Sequence, residues 1–354
     1  MTCARAALPA VNAHVHAVEW PTLTLIIAVH GAWIALTLAA ATLGWLVIAP
    51  LAVVIALHSS LQHEVAHGHP LRSRRLSEAL VWLPLGLAIP YERFRDTHLA
   101  HHRDERLTDP HDDPESNYFH PAVWSRLPWA LRGVLAANNT LAGRILLGPA
   151  IGMACFLWSE AKAAWAGEGT VRRAWAMHAA GLAVLIVWLA VAATPWWVML
   201  AGAYGGLSIL RIRTFLEHRA HEKTAGRSVV IERGGVLGFL FLNNNLHALH
   251  HAAPRVAWYR LPALWRVRRG AILKRNRGYR FDSYAEVFQR FFLRAKDPVA
   301  HPLIACPDPV TRRGRSPLRS QSSPSVPKQR SAHRDAAPRS STAAEREDPT
   351  PRER

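Results

Sequence analysis

The sequence lacks any close pair of cysteines. Its three cysteines are Cys3, Cys155 and Cys306, and none of them forms a Cys-x-x-Cys motif. Zinc ribbons, iron–sulfur clusters and disulfide frameworks all require cysteines that are grouped at short or repeated spacings. We therefore exclude these classes and predict no redox centre based on sulfur.

Acidic residues are also scarce. The chain has 25 Asp and Glu against 43 Lys and Arg, which gives a net charge of +18. Such an excess is found in proteins that bind nucleic acid, but no nucleic-acid motif is present. The basic residues instead flank apolar segments, as they do on the cytoplasmic side of membrane proteins. We predict a membrane protein with no nucleic-acid partner.

We also expect no cleavable signal peptide. Residues 1–20 contain no compact apolar stretch before a cleavage site. The first apolar run, Leu23–Leu43, is long enough to span a bilayer, which takes roughly 20 residues. After a turn at Gly44 and Trp45, a second run, Leu46–Leu61, completes a predicted membrane hairpin.

A second hairpin is predicted from Ala176–Ala193 and Trp196–Leu210. Arg172 and Arg173 precede it, and Arg211 and Arg213 follow it, which marks both of its ends as cytoplasmic. Two other apolar stretches are not predicted to cross fully: one is too short, and the other could span or lie in the interface, but a crossing there would make the number of crossings between box two and box three odd. Residues 79–89 contain Pro84 and predict a re-entrant or interfacial helix, and residues 141–158 are broken by Arg144, Gly148 and Pro149.

These patterns predict an all-α integral membrane protein. It has about four transmembrane helices in two hairpins, with re-entrant or interfacial helices and a cytoplasmic cap. We divide it into a lead-in (1–20), a membrane domain (21–303) and an Arg/Ser/Pro-rich tail (304–354). The tail is too polar to bury a core and is predicted to be disordered. The expected location is a bacterial inner membrane, with several passes.

Three clusters of histidines follow the apolar runs. Residues 63–67 read HEVAH, residues 98–102 read HLAHH and residues 246–251 read LHALHH. Spacings of three and four residues put the histidines of each cluster on one face of a helix. Buried imidazoles need a partner for each ring nitrogen, and a transition metal supplies one, since imidazole is its commonest protein ligand.

The number of clustered histidines predicts two metal ions. One zinc ion takes about three or four protein ligands, and the clusters hold eight histidines. A nitrogen-rich site disfavours magnesium and calcium and suits iron, zinc or copper. Because the clusters lie at the ends of apolar runs, we expect the site at the membrane boundary and a lipid or another long apolar molecule as its substrate.

The three clusters together resemble the histidine boxes of the membrane fatty acid desaturase and hydroxylase superfamily. The resemblance covers roughly residues 20–300 and includes Trp258-Tyr259-Arg260-Leu261-Pro262 after the third box. It implies a fatty acid desaturase with two iron ions, O2 as co-substrate, a lipid acyl chain as substrate, and a separate electron donor, either a ferredoxin or a small cytochrome. The implied iron ligands are His63, His67, His98, His101, His102, His247, His250, His251 and, before box three, His218, with His221 as its alternative.

Other residues near the boxes have predicted supporting roles. Glu64, Asp96 and Asn243 are expected to orient ligand imidazoles through their second nitrogens. The acidic residues that follow box two have two interpretations: partners of the ligand histidines or, as the favoured one, a solvated acidic loop; they are Asp104, Asp109, Asp112 and Asp113. His58, inside the second apolar run, is expected to lie behind the ligands or to line a pore.

Other functions stay open at this point. Carotenoid ketolases, carotenoid hydroxylases and alkane hydroxylases carry similar boxes, and hydroxylation is an alternative outcome at the same centre. HEVAH also fits the zinc-protease motif His-Glu-x-x-His, with Glu64 as general base, but that interpretation leaves the other two boxes unexplained. A histidine-lined metal transporter predicts ligands within the spans, whereas these histidines lie at the ends of the spans.

Overall fold

The computed structural model describes residues 18–102, 107–113 and 115–305. These residues are mostly helical. The helices are α1 (Trp20–Leu43), α2 (Ile48–Ala66), α3 (Arg74–Ala79), α4 (Tyr91–His101), α5 (Pro121–Trp124), α6 (Trp129–Asn138), α7 (Leu141–Leu146), α8 (Gly148–Trp165), α9 (Gly169–Val191), α10 (Trp196–Thr214), α11 (Gly235–Leu240), α12 (His247–Ala252), α13 (Leu261–Arg275) and α14 (Tyr284–Phe291).

Two stretches are long and apolar enough to cross a membrane: residues 20–66 and residues 169–191. The first is a hairpin of α1 and α2, because Gly44 turns the chain with a φ of 54°. Ile26 near the start of α1 packs in one cluster with Val65 near the end of α2. The polypeptide therefore returns to its starting side, where the first histidine box begins.

The helices α9 and α10 form the second hairpin, with Thr194 and Pro195 at its turn. The two hairpins meet at their turns. Trp188 Nε1 donates to Thr37 Oγ1 at 3.0 Å, and Thr194 Oγ1 donates to the Thr37 carbonyl at 2.9 Å. The opposite ends of these helices consequently lie together on the side that carries the histidines.

Glycines let α10 approach α2 closely. A Cβ added to Gly206 would lie 2.6 Å from Ile55 Cγ2, and one added to Gly202 would lie 2.7 Å from Leu51 Cδ2. Glycines four residues apart are a common device for close packing of membrane helices. The contact aligns α2, which carries box one, with α10, which leads to His218.

We expect Gly206→Val to destabilise the protein by about 1–3 kcal/mol, because the added methyl groups overpack this contact. Gly31→Val is the matched control, since no atom lies within 4 Å of a Cβ at that glycine of α1. Thermal unfolding in detergent compares the two variants with the parent chain. Equal unfolding temperatures for both variants would contradict the packing argument.

Two predictions about local structure were wrong. Residues 79–89 do not form a helix: α3 ends at Ala79, and the stretch that follows is a series of turns. Pro84 and Pro90 remove backbone donors there, while Val81 and Leu85 are buried as loop residues. The domain is also not purely helical, because Val230–Arg233 (β1) and Arg280–Ser283 (β2) form a parallel pair.

The parallel pair supports the third box. The chain between the two strands contains α11, α12 and α13, so box three lies within the crossover. The backbone N–H of Ala248 donates to the Val229 carbonyl at 2.8 Å, and Asn245 Nδ2 donates to the Ile231 carbonyl at 2.7 Å. These bonds fix α12 against β1.

The predicted domain limits stay a prediction. Residues 1–17 of the lead-in and residues 306–354 of the tail lie outside the described residues.

Candidate metal centre

Box one occupies the end of α2. Leu61 and Val65 pack into an apolar cluster with residues of α1, and this places His63 and His67, the residue that ends the helix, on another face. Box two lies at the C-terminal end of α4, and His102 is the C-cap residue of that helix.

Two pairs of charged residues hold α4 in place. The guanidinium of Arg93 donates to both carboxylate oxygens of Glu160 on α8, at 2.7 and 2.8 Å. Arg95 pairs with Glu78 of α3 at 3.0 Å. Bidentate arginine–carboxylate pairs fix direction as well as distance, so the helix that bears box two is held from both sides.

Box three lies on the short helix α12. Leu246, Ala248 and Leu249 pack with Val230 and other buried apolar residues, so the three histidines of the box share the opposite face. Asn243 has a φ of 58° just before the box. Asn is one of the few residues other than Gly that commonly adopts this left-handed conformation.

The structure brings all nine histidines together in two groups. In each group the ring nitrogens lie within 4.8 Å of one another. Group one contains His63, His67, His98, His102 and His250, and group two contains His101, His218, His247 and His251. The groups adjoin, since the rings of His102 and His251 stack with their centroids 4.2 Å apart.

The nitrogens within each group face one another. In group one, His67 Nε2 lies 3.1 Å from His98 Nε2, and His250 Nε2 lies 3.2 Å from His102 Nε2. In group two, His218 Nε2 lies 2.8 Å from His101 Nε2 and 3.0 Å from His247 Nε2.

Metal ions fit these positions. Neutral imidazole has one N–H donor, so hydrogen bonds among the rings cannot satisfy every nitrogen that points into a group. His63 Nε2 is buried and has no hydrogen-bond partner among the described residues. Two nitrogens bound to one ion at about 2.1 Å and at a right angle are about 3.0 Å apart, which agrees with the separations found here.

The outward nitrogens of four of these rings have polar partners. The Nδ1 atoms of His98 and His101 lie 3.1 Å from Glu115 and 2.9 Å from Asp113. That of His247 lies 3.1 Å from Asn244 Oδ1, and that of His218 lies 3.3 Å from Ser228 Oγ. Such bonds hold Nε2 toward a metal and make imidazole a better ligand.

A family model described as fatty acid desaturase matches residues 32–283, which is most of the chain and contains all nine histidines. The chain belongs to the fatty acid desaturase family. The resemblance seen in the three histidine boxes is thereby confirmed. Family membership implies a membrane oxidoreductase that acts on lipid and depends on iron, and the histidine groups fit that role. No curated protein sequence matches the chain.

Most of the orienting residues differ from those predicted for this desaturase-family chain. Glu64 accepts from the Trp258 N–H at 2.9 Å, Asp96 pairs with Arg95, and Asn243 donates to the Trp258 carbonyl. None of the three has a hydrogen bond to a box histidine among the described residues. Asn244, one residue later, has that role, and its position three residues before His247 was the available signal.

In the acidic loop after box two, Asp113 follows the less favoured of the two interpretations, that of a partner to a box histidine. Asp113 is buried rather than solvated, and it contacts both His101 and the backbone N–H of Thr108. Asp109 caps its own turn by accepting from the N–H groups of His111 and Asp112. Asp104 lies outside the described residues. This segment has no helical or strand period from which these contacts could be derived.

Burial keeps several of these imidazoles in the neutral form that binds metal. Burial, with added repulsion from neighbouring histidines, lowers the pKa of His102 to about 3. Burial likewise lowers the pKa values of His218, His247, His250 and His251 well below the usual range. These rings are therefore neutral near pH 7, the form that binds metal.

His101 behaves differently. Burial lowers its pKa, but the carboxylates of Glu115 and Asp113 outweigh that effect and raise it to about 9. The Nδ1–H proton stays on the Asp113 side, so a metal ion would have to displace only the second proton, the one on Nε2.

Two other histidines singled out from the sequence, His221 and His58, lie apart from the groups. His221, the alternative to His218, has its Nδ1 close to the backbone of Lys223. His58 is buried, and its ring meets that of His30 edge-on at 5.5 Å.

Proposed function

We propose that the protein is a membrane di-iron oxidoreductase that introduces double bonds into lipid acyl chains, with O2 as co-substrate. The observation that supports this most strongly is the division of nine histidines into two adjoining groups of five and four. Each group has enough nitrogen donors for one ion. The donors are imidazole nitrogens, which suit iron better than magnesium or calcium.

The proposed ligands are the nine residues of the two groups. In group one they would be His63, His67, His98, His102 and His250; in group two, His101, His218, His247 and His251. Bound iron would supply the O2 activation needed to attack an unactivated C–H bond.

The protein's own residues would prepare the site. Asp113, Glu115, Asn244 and Ser228 keep the outward ring nitrogens occupied, so that the Nε2 atoms converge on the centre. Glu217, buried behind Asn244 and 2.8 Å from its Nδ2, holds that amide with its oxygen toward His247. A centre oriented in this way binds its ions without rearranging its ligands.

The overall reaction needs electrons from outside. One O2 takes two hydrogens from neighbouring methylenes and two electrons with two protons from a donor, giving a double bond and two waters. The sequence contains no cysteine motif for a sulfur-based redox centre. We therefore propose a separate ferredoxin or small cytochrome as the electron donor.

The proposed topology follows from the two hairpins. The helices α1, α2, α9 and α10 would cross the membrane, and α8 would not, because Gly152 near its start lies against Arg211 at the end of α10, while Glu160 contacts Trp175 near the start of α9. Arginines at those ends favour a cytoplasmic position for the histidines in a bacterial inner membrane.

The protease alternative has less support. In that interpretation Glu64 would act on a metal-bound water held by His63 and His67. Glu64 instead accepts from the Trp258 N–H, and its carboxylate clusters with Glu19 and with His69, which is 3.7 Å away. His63 and His67 also share their group with three further histidines.

We expect cells that express the intact chain to gain unsaturated acyl chains, and only when O2 is supplied. The measurement is mass spectrometry of total lipid from aerobic and anaerobic cultures, with an empty-vector strain as control. A new keto- or hydroxycarotenoid or a new alcohol, without new unsaturation, would contradict desaturation and favour the related di-iron activities.

A further inference from the structure

A cavity of about 1260 Å³ lies beside group one. His67 and His102 are among its lining residues, and so is Arg255, which is exposed. The cavity thus connects the histidines with the protein surface. It is larger than the roughly 300–1,000 Å³ of pockets that take drug-sized ligands.

Most of the cavity wall is apolar. The box-one end of α2 contributes Ala66, box two contributes Leu99, and the segment after box three contributes Val256, Ala257 and Leu264. Such a surface offers water few hydrogen bonds, whereas a hydrocarbon chain gains free energy for each methylene group that it buries. The wall therefore suits an acyl chain.

Cationic side chains complete the lining. Arg74, Arg255 and Arg260 line the cavity. Arg74 is paired with Glu78 at 2.8 Å, but neither Arg255 nor Arg260 forms an ion pair with a carboxylate among the described residues. Glu19, the one acid of the lining, is engaged by His69 at 2.8 Å.

We infer that this cavity binds an acyl chain whose head group carries a phosphate, with Arg255 and Arg260 on the phosphate and the chain directed toward group one. The inference rests on the proposed function, since the bound chain is taken to be the one oxidised. Guanidinium groups recognise phosphate through paired, charge-assisted hydrogen bonds. A carotenoid or an alkane has no group that would use them.

The test is equilibrium binding to the purified full-length protein in neutral detergent, without reductant. The probes are radiolabelled palmitoyl coenzyme A and dipalmitoyl phosphatidylglycerol, which present phosphate from a soluble thioester and from a lipid head group, with methyl palmitate as the uncharged probe. Whichever phosphate probe binds more tightly identifies the source of the head group.

The variant is Arg255→Glu with Arg260→Glu. Its control, Lys274→Glu with Arg275→Glu, makes the same charge change at exposed positions of α13 outside the cavity. We expect the first pair to weaken binding of the preferred phosphate probe at least about tenfold, with methyl palmitate unaffected and the control near the parent value. Arg255→Gln with Arg260→Gln should give a smaller loss in the same direction.

Metal content and thermal unfolding of each variant show that the fold is intact. Equal losses in the cavity and control pairs, or no loss in either, would overturn the inference. The inference would also be overturned if the Arg255→Glu, Arg260→Glu variant bound both phosphate probes normally but accepted electrons more slowly from an acidic carrier. The two arginines would then form a docking surface for a protein. Because binding is measured without turnover, a phosphate site that binds but yields no unsaturated product would refute the proposed function and leave the site standing.

Discussion

Replacement of His250 with alanine is expected to abolish product formation and to reduce bound iron from about two ions per chain to about one or fewer. His250 Nε2 lies 3.2 Å from His102 Nε2, and its ring adjoins those of His63 and His67. Loss of a residue that merely orients a ligand costs about 10–100-fold in metal affinity or activity, so loss of a ligand itself should cost more.

The control is His111→Ala, which removes an exposed histidine close to box two in the sequence but outside both groups. Lipid analysis and elemental analysis of the purified chains compare the two variants. A His250 variant that keeps its iron and its product would refute the assignment of group one.

The second large effect is expected at His218. Its Nε2 lies between those of His101 and His247, so His218→Ala leaves group two with three donors. We expect loss of iron from group two and loss of product, whereas His221→Ala should keep both, because His221 lies apart from the histidine groups.

This pair of variants separates two residues that are three positions apart in one segment. Iron content and product are measured for both, along with thermal unfolding to show that each chain is folded. Full activity in the His218 variant with loss in the His221 variant would reverse the choice of ninth ligand.

The histidines could be found from the sequence because helical spacing makes them visible. His98, His101 and His102 share a helical face at any orientation of α4, so three such boxes indicate a common centre before any fold is known. How the nine histidines divide into two groups could not be predicted from the sequence. His101 and His102 are adjacent in sequence yet belong to different groups, which depends on how α4 crosses α2 and α12.

The supporting residues were harder to predict because they come from irregular segments. Asp113 and Glu115 reach box two from a loop, and Ser228 reaches His218 through an isolated β-bridge. Loops have no period that assigns a direction to each side chain. The short β1–β2 pair was missed for a similar reason, since four-residue strands joined by a long crossover leave little pattern in the sequence.

The central claim is that the two histidine groups hold two iron ions. The most direct measurement is the metal content of the purified full-length chain, by elemental mass spectrometry on protein quantified by amino-acid analysis. The account predicts about two irons per chain and little zinc. About one zinc per chain with no iron would contradict it and would return the first box to the zinc-protease interpretation.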